Sequence, residues 1–105
     1  MEKNMHTRKP THPGVILRED VLPELNMTVT DLAAHLGFSR ETISRILHEK
    51  APVSANLAYR LELAGISSAN LWLKLQAAYD IWQLKTSTNH LNIKPIRLSN
   101  EVAVV

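Results

Sequence analysis

The sequence predicts an all-α fold, a compact five-helix domain, on three observations. Apolar residues recur at helical spacing in five successive stretches. Each stretch opens at a proline, serine or threonine, and all but the last close at a glycine or proline. A single segment, residues 91–98, alternates apolar with polar as a strand would, which adds a short C-terminal β-strand to the helical domain.

In chain order, residues 1–11 read as a flexible N-terminal arm. Its cluster His6-Thr7-Arg8-Lys9 is equally compatible with a phosphate-seeking arm and with a solvated terminus. Pro13 and Gly14 open a helix from Val15 to Leu22, with Val15, Ile16 and Leu22 turned inward, and Pro23 stops it. Thr28 caps the second helix, with Asp31 placed for a capping box; Leu32, Ala33 and Leu36 form its stripe. Gly37 supplies the left-handed stop, and Phe38 plugs the corner. Ser39 caps the third helix, whose inward stripe is Ile43, Ile46 and Leu47. Pro52 turns the chain. Ser54 caps a fourth helix with Leu57, Ala58, Leu61 and Ala64 inward, Gly65 ends it, and Ser67 or Ser68 caps a fifth over residues 69–85. Residues 12–85 thus form one domain, and 86–105 form a tail.

The second and third helices, with a small residue at Ala33 to permit close crossing, make a helix-turn-helix whose members should meet at roughly 90–120°. At about 100° per residue from Ile43, the residues Glu41, Ser44, Arg45 and His48 face away from the core, and Arg40 stands at the exposed N-terminal flank. That end meets base edges in a major groove. Arginine suits bidentate contact with guanine, and a carboxylate accepts from cytosine N4. Ser39 and Thr42 suit phosphate, together with the free helix-end amides. Thr28 and Thr30, at the start of the second helix, complete the expected DNA-contacting set. A Ser-Arg-Glu-Thr segment alone describes any solvated helix face; the caps, glycine, corner and two stripes in register are what make the pattern specific.

Composition bounds the function. A chain of 105 residues holds one domain with one modest core. It has no cysteine, hence no disulfide framework and no thiolate metal site. It has no signal-like apolar segment and no run of membrane-spanning length, so a cytoplasmic protein without a membrane partner is expected. Residues 1–50 carry seven cations (Lys3, Arg8, Lys9, Arg18, Arg40, Arg45, Lys50) and seven acids (Glu2, Glu19, Asp20, Glu24, Asp31, Glu41, Glu49). This balance argues against general coating of nucleic acid and for local, sequence-specific contacts. His6, His12, His35, His48 and His90 show no ligand spacing and read as surface residues; no metal, cofactor or catalytic constellation is expected, and the chain does not read as an enzyme.

The fifth helix is apolar in nearly every direction: Leu71, Trp72, Leu73, Leu75, Ala77, Ala78, Tyr79, Ile81, Trp82 and Leu84. A helix apolar all round is buried all round. Either a second subunit or the tail must cover what this small domain leaves open. A homodimer through Leu71, Trp72, Leu75, Ala78, Tyr79 and Trp82 is the simplest closed arrangement. It would set two recognition helices about 34 Å apart on a pseudo-palindromic operator of double-stranded DNA. In the tail, Leu91-Asn92-Ile93-Lys94 and Ile96-Arg97-Leu98 flank Pro95, which confines the strand to an edge or bulge. It pairs with a symmetry mate or a partner protein, or stays loose.

Three stretches together resemble the HigA family of antitoxins, within the Xre/Cro-type repressor class. His12-Pro13-Gly14-Val15-Ile16-Leu17 is similar to the family's opening helix motif, and the helix-turn-helix fits. Leu71-Trp72-Leu73-Lys74-Leu75-Gln76-Ala77-Ala78-Tyr79-Asp80-Ile81-Trp82 resembles its Phe-Trp-Leu-Asn-Leu-Gln helix followed by Tyr-Asp-Leu. Leu71 and Lys74 depart from that pattern, where the family often has Phe and Asn. The resemblance covers about His12 to Trp82. It implies a lambda-repressor-like helix-turn-helix that represses its own operon and neutralises a cognate HigB-type toxin, a ribosome-dependent mRNA endonuclease of the RelE type. Two other readings remain open on the residues alone: a phage-type repressor without a toxin, and a helical interaction adaptor.

Overall fold

Pro13 opens the first helix and Asn26 closes it, three residues beyond the proline expected to stop it. The computed structural model describes residues 8–87 and 91–97; the arm at 1–7 and the tail at 88–90 and 98–105 lie outside the described residues. Helix α1, residues 13–25, has three segments: an α turn Pro13–Ile16, a π-helical stretch Leu17–Val21 and a second α turn Leu22–Leu25. In the π stretch the Leu22 N–H donates to the carbonyl of Leu17, five residues back. The widened turn accommodates the Pro23 ring and its missing N–H, so the helix continues through the proline rather than ending at Leu22. Asn26 then adopts the left-handed conformation (φ 55°), which asparagine tolerates.

Four further helices follow among the described residues: α2 Val29–Leu36, α3 Arg40–Leu47, α4 Ala55–Leu63 and α5 Ala69–Thr86. Thr28, Ser39, Ser54 and Ser68 each cap the helix that follows with a side-chain oxygen. The shared core holds Leu17 and Leu22 from α1, the expected stripes of α2 and α3, Val53, Leu57, Ala58 and Leu61, and Trp72 from α5. Pro13 and Leu17 are fully buried at the start of α1, whereas Val15 and Ile16 are only half-buried. Ala64 lies past the end of α4 and is exposed, against expectation, because α4 stops at Leu63.

The expected C-terminal strand is absent from residues 91–97, which carry no regular secondary structure; position 98 lies outside the described residues. Leu91, Ile93 and Ile96 are largely exposed. Pro95 removes a ladder donor, and the helical domain offers no strand edge to pair with.

His12 corrects its surface assignment. It is only 3% exposed, caps α1 by accepting from the Gly14 N–H at Nδ1 (2.9 Å), and packs edge-on against Tyr79 with ring centroids 4.9 Å apart. Burial lowers its pKa below the usual histidine value, against smaller opposing effects of Glu49, Asp80 and the Ala51 backbone. The unfolded chain therefore binds the proton more readily, so stability is full above the ordinary histidine pKa of about 6.5 and declines as pH falls below it. The melting temperature of the wild type should drop between about pH 7.5 and pH 5.5, and His12→Asn, which offers a capping acceptor without titrating, should flatten that slope. An equal slope in both proteins would show that other groups carry the acid sensitivity.

Gly14 sits directly against the main-chain carbonyl of Ile46 in α3, where a Cβ would collide with it. The His12-Pro13-Gly14 sequence is thus a docking device. His12 caps α1, Pro13 fixes its first turn, and the bare Gly14 backbone lets α1 lie against α3.

Candidate nucleic-acid interface

At the start of α2, the Thr28 hydroxyl accepts from the Asp31 N–H (3.0 Å) and the Asp31 carboxylate accepts from the Thr28 N–H (3.1 Å), closing the expected capping box. Gly37 takes φ 81°, the region that favours glycine, and the Phe38 N–H donates to the Ala33 carbonyl (2.9 Å). The chain reverses within three residues. Ser39 then accepts from the Thr42 N–H (3.1 Å), and the two hydroxyls share a hydrogen bond of 2.8 Å.

Ile43, Ile46 and Leu47 are buried, so α3 presents its opposite face to solvent. Of the nine expected DNA-contacting residues, Thr28, Thr30, Ser39, Arg40, Glu41, Thr42, Arg45 and His48 are exposed, and Ser44 is half-buried. Their environments differ. Among the described residues, the side chains of Arg40 and Glu41 have no intramolecular hydrogen bond or ion pair and are free to meet an external group. Arg45 donates to the Lys50 carbonyl (3.0 Å), and the His48 ring contacts the Ser44 carbonyl (2.9 Å). Both are folded over the C-terminal end of α3, where the Arg45 guanidinium meets the negative end of the helix dipole. A base contact by Arg45 would use the donors that this bond leaves over or release the Lys50 carbonyl.

Three residues absent from the sequence-based set hold this face in place. Arg18 reaches from α1 to the Leu47 carbonyl at the end of α3 (2.7 Å), while pairing with Glu19 (3.0 Å). Buried Gln76 of α5 accepts from the Val53 N–H (2.8 Å) and donates to Asp80 (2.9 Å), fixing the segment that follows α3. Arg60 of α4 donates to the Leu36 carbonyl at the helix-turn-helix corner (2.8 Å). Gln76 was legible as a polar residue on the same helical stripe as Trp72 and Tyr79. The arginines carried no local signal, because their partners are main-chain carbonyls 29 and 24 residues away.

The residues assigned to dimerisation split into two groups. Trp72 (2% exposed) and Tyr79 (8%) face this chain's own core, and the Trp72 indole donates to the Ile66 carbonyl (2.7 Å); both are removed from the open face by that packing. Leu71 and Ala78 are exposed, while Leu75 and Trp82 are half-buried. Lys9, from the end of the arm, lies over the rings of Trp82 (5.5 Å) and Tyr79 (5.9 Å), so this part of the arm contacts α5. Among the described residues no group of three His, Asp or Glu side chains is placed to hold a metal ion, and no helix is long and apolar enough to cross a membrane.

A family profile for the Cro/C1-type helix-turn-helix DNA-binding domain matches residues 19–61, which include α2, α3 and the corner between them. An uncharacterized HTH-type transcriptional regulator of Haemophilus influenzae is 34% identical over 95 residues, covering 87% of this chain and 89% of that protein. Among solved structures, Pseudomonas aeruginosa PA4674 in complex with its operator DNA aligns at a TM-score of 0.73 and 32% identity, over 84% of this chain and 98% of that one. The Pseudomonas aeruginosa antitoxin HigA with the higBA promoter aligns at 0.70 and 32%, over 85% and 100%.

Proposed function

Because the chain belongs to the Cro/C1-type helix-turn-helix DNA-binding family, in the branch that includes the HigA antitoxins, we propose that it is the antitoxin of a type II toxin–antitoxin pair. In this reading it acts in the cytoplasm as a dimer. It binds a pseudo-palindromic operator, represses its own operon, and neutralises an mRNA-cleaving toxin of the HigB/RelE type. The observation that carries the proposal is the match to operator-bound structures along almost their whole length, α5 included. The free side chains of Arg40 and Glu41 at the start of α3 supply the chemistry of base reading, and the helix ends at Thr28 and Ser39 supply amides for phosphate.

Replacing Arg40 with alanine should cost about 1–3 kcal/mol of operator binding and relax preference at one base position, without a matching loss on unrelated DNA. A binding titration against the operator and its single-base variants reads both quantities; unchanged affinity and preference would remove Arg40 from the reading face. Co-expression with the adjacent small open reading frame tests the toxin half of the proposal. Rescue of growth together with co-purification supports it. An innocuous neighbour that does not co-purify, beside intact operator repression, leaves a repressor without a toxin.

A further inference from the structure

Arg60 lies on α4, outside the two helices of the DNA-binding hairpin, yet it makes two contacts at their corner and a third on its own helix. Its Nη1 donates to the Leu36 carbonyl (2.8 Å), one of the last carbonyls of α2, which lacks an intrahelical partner. Its guanidinium lies over the Phe38 ring, 5.0 Å from the centroid. Its Nε donates to Asn56 Oδ1 (2.7 Å), one turn earlier on α4, which fixes the side chain in that pose. A Cβ at Gly37, between the two corner residues that Arg60 touches, would stand 2.7 Å from Arg60 Nη1, so a side chain there would push the guanidinium out of this pose. The left-handed φ of Gly37 favours glycine independently.

We propose that Arg60 is a positioning residue for sequence recognition: it sets the direction in which α3 leaves the corner, and so the angle at which Arg40 and Glu41 meet the bases. The inference rests on the DNA-binding reading above. A lysine cannot reproduce it, because one ammonium cannot hold the carbonyl, the amide oxygen and the ring face in the geometry of a planar fork. The readout is discrimination rather than affinity alone. Phosphate contacts act on all sequences alike, whereas a misdirected recognition helix loses base contacts selectively.

The test uses the full chain and a duplex that the wild type enriches from a random-sequence library, beside a scrambled duplex of equal length. Binding is titrated at several salt concentrations, with circular dichroism confirming the fold of each variant. Arg60→Met and Arg60→Lys should both lose about tenfold or more on the enriched duplex, while holding the scrambled duplex to within about twofold and keeping the salt slope. Asn56→Ala, which frees the side chain without removing it, should fall between them and the wild type; with Arg60→Lys it carries the test if Arg60→Met does not fold. Folded variants that keep the wild-type ratio between duplexes would overturn the proposal. So would an equal loss on both duplexes with a shallower salt slope and recovery in Arg60→Lys, which would make Arg60 a phosphate contact. A wild type that enriches no sequence would instead overturn the DNA-binding reading itself.

Discussion

Trp72→Ala should lower the unfolding free energy by about 3–5 kcal/mol, the range for deleting a large aromatic from a packed core. For a domain of this size that is a large part of a total of about 5–15 kcal/mol. Trp72 is 2% exposed and joins the core to which all five helices contribute. Its loss also leaves the Ile66 carbonyl without its indole donor. Trp72→Phe separates the two effects, keeping most of the ring volume while giving up the hydrogen bond, and should cost less, about 1–3 kcal/mol. Urea unfolding of both variants gives the values. A midpoint for Trp72→Ala equal to that of the wild type would mean that α5 is not part of the cooperative unit.

What the sequence discloses and what it hides divide along one physical line. Contacts between residues near in the chain have local signatures, and Thr28, Asp31, Gly37, Ser39 and Ser54 stand where their capping and turn chemistry puts them. The inward stripes of α2 and α3 follow from helical periodicity in the same way. Pro23 does not stop its helix because a π turn absorbs the ring, and a π turn has no reliable local signature. His12 misled because its burial depends on Tyr79, 67 positions away in the chain, and on an α5 that packs across it. The expected strand failed for want of an edge to join. The tripeptide His12-Pro13-Gly14 carries a family resemblance in the sequence, but its reason, the approach of Gly14 to the Ile46 carbonyl, exists only in three dimensions. The outward face of α3 was legible as a set of exposed positions. Arg18 and Arg60, which brace it, were not, since an arginine aimed at a distant carbonyl looks like any surface cation.

The same distinction resolves the over-apolar fifth helix into two adjacent stripes with separate expected roles. Trp72, Gln76 and Tyr79 face this chain's own core. Leu71, Leu75 and Ala78, each one residue before a member of that stripe, and Trp82 repeat at spacings of four, three and four residues, the pattern of a helix–helix seam. Leu71 is 43% exposed, and Ile81 (51%), one turn beyond Ala78, widens the apolar surface beside the seam. Paired charges there should therefore disrupt association and spare the fold. Leu71→Glu combined with Ala78→Glu should convert a dimer to a monomer in sedimentation, because four like charges would meet across a two-fold axis and the apolar burial would be lost. The melting curve measured by circular dichroism at high dilution should change little. Operator affinity should fall about a hundredfold or more, since a second half-site raises avidity by about 10²–10⁴ when both are engaged together. Affinity for a duplex with one half-site should stay near the wild-type value, because Arg40 and Glu41 lie on another helix. A doubly substituted protein that remains dimeric would move the interface off this seam, and a wild type that is already monomeric would remove the dimer from the proposal.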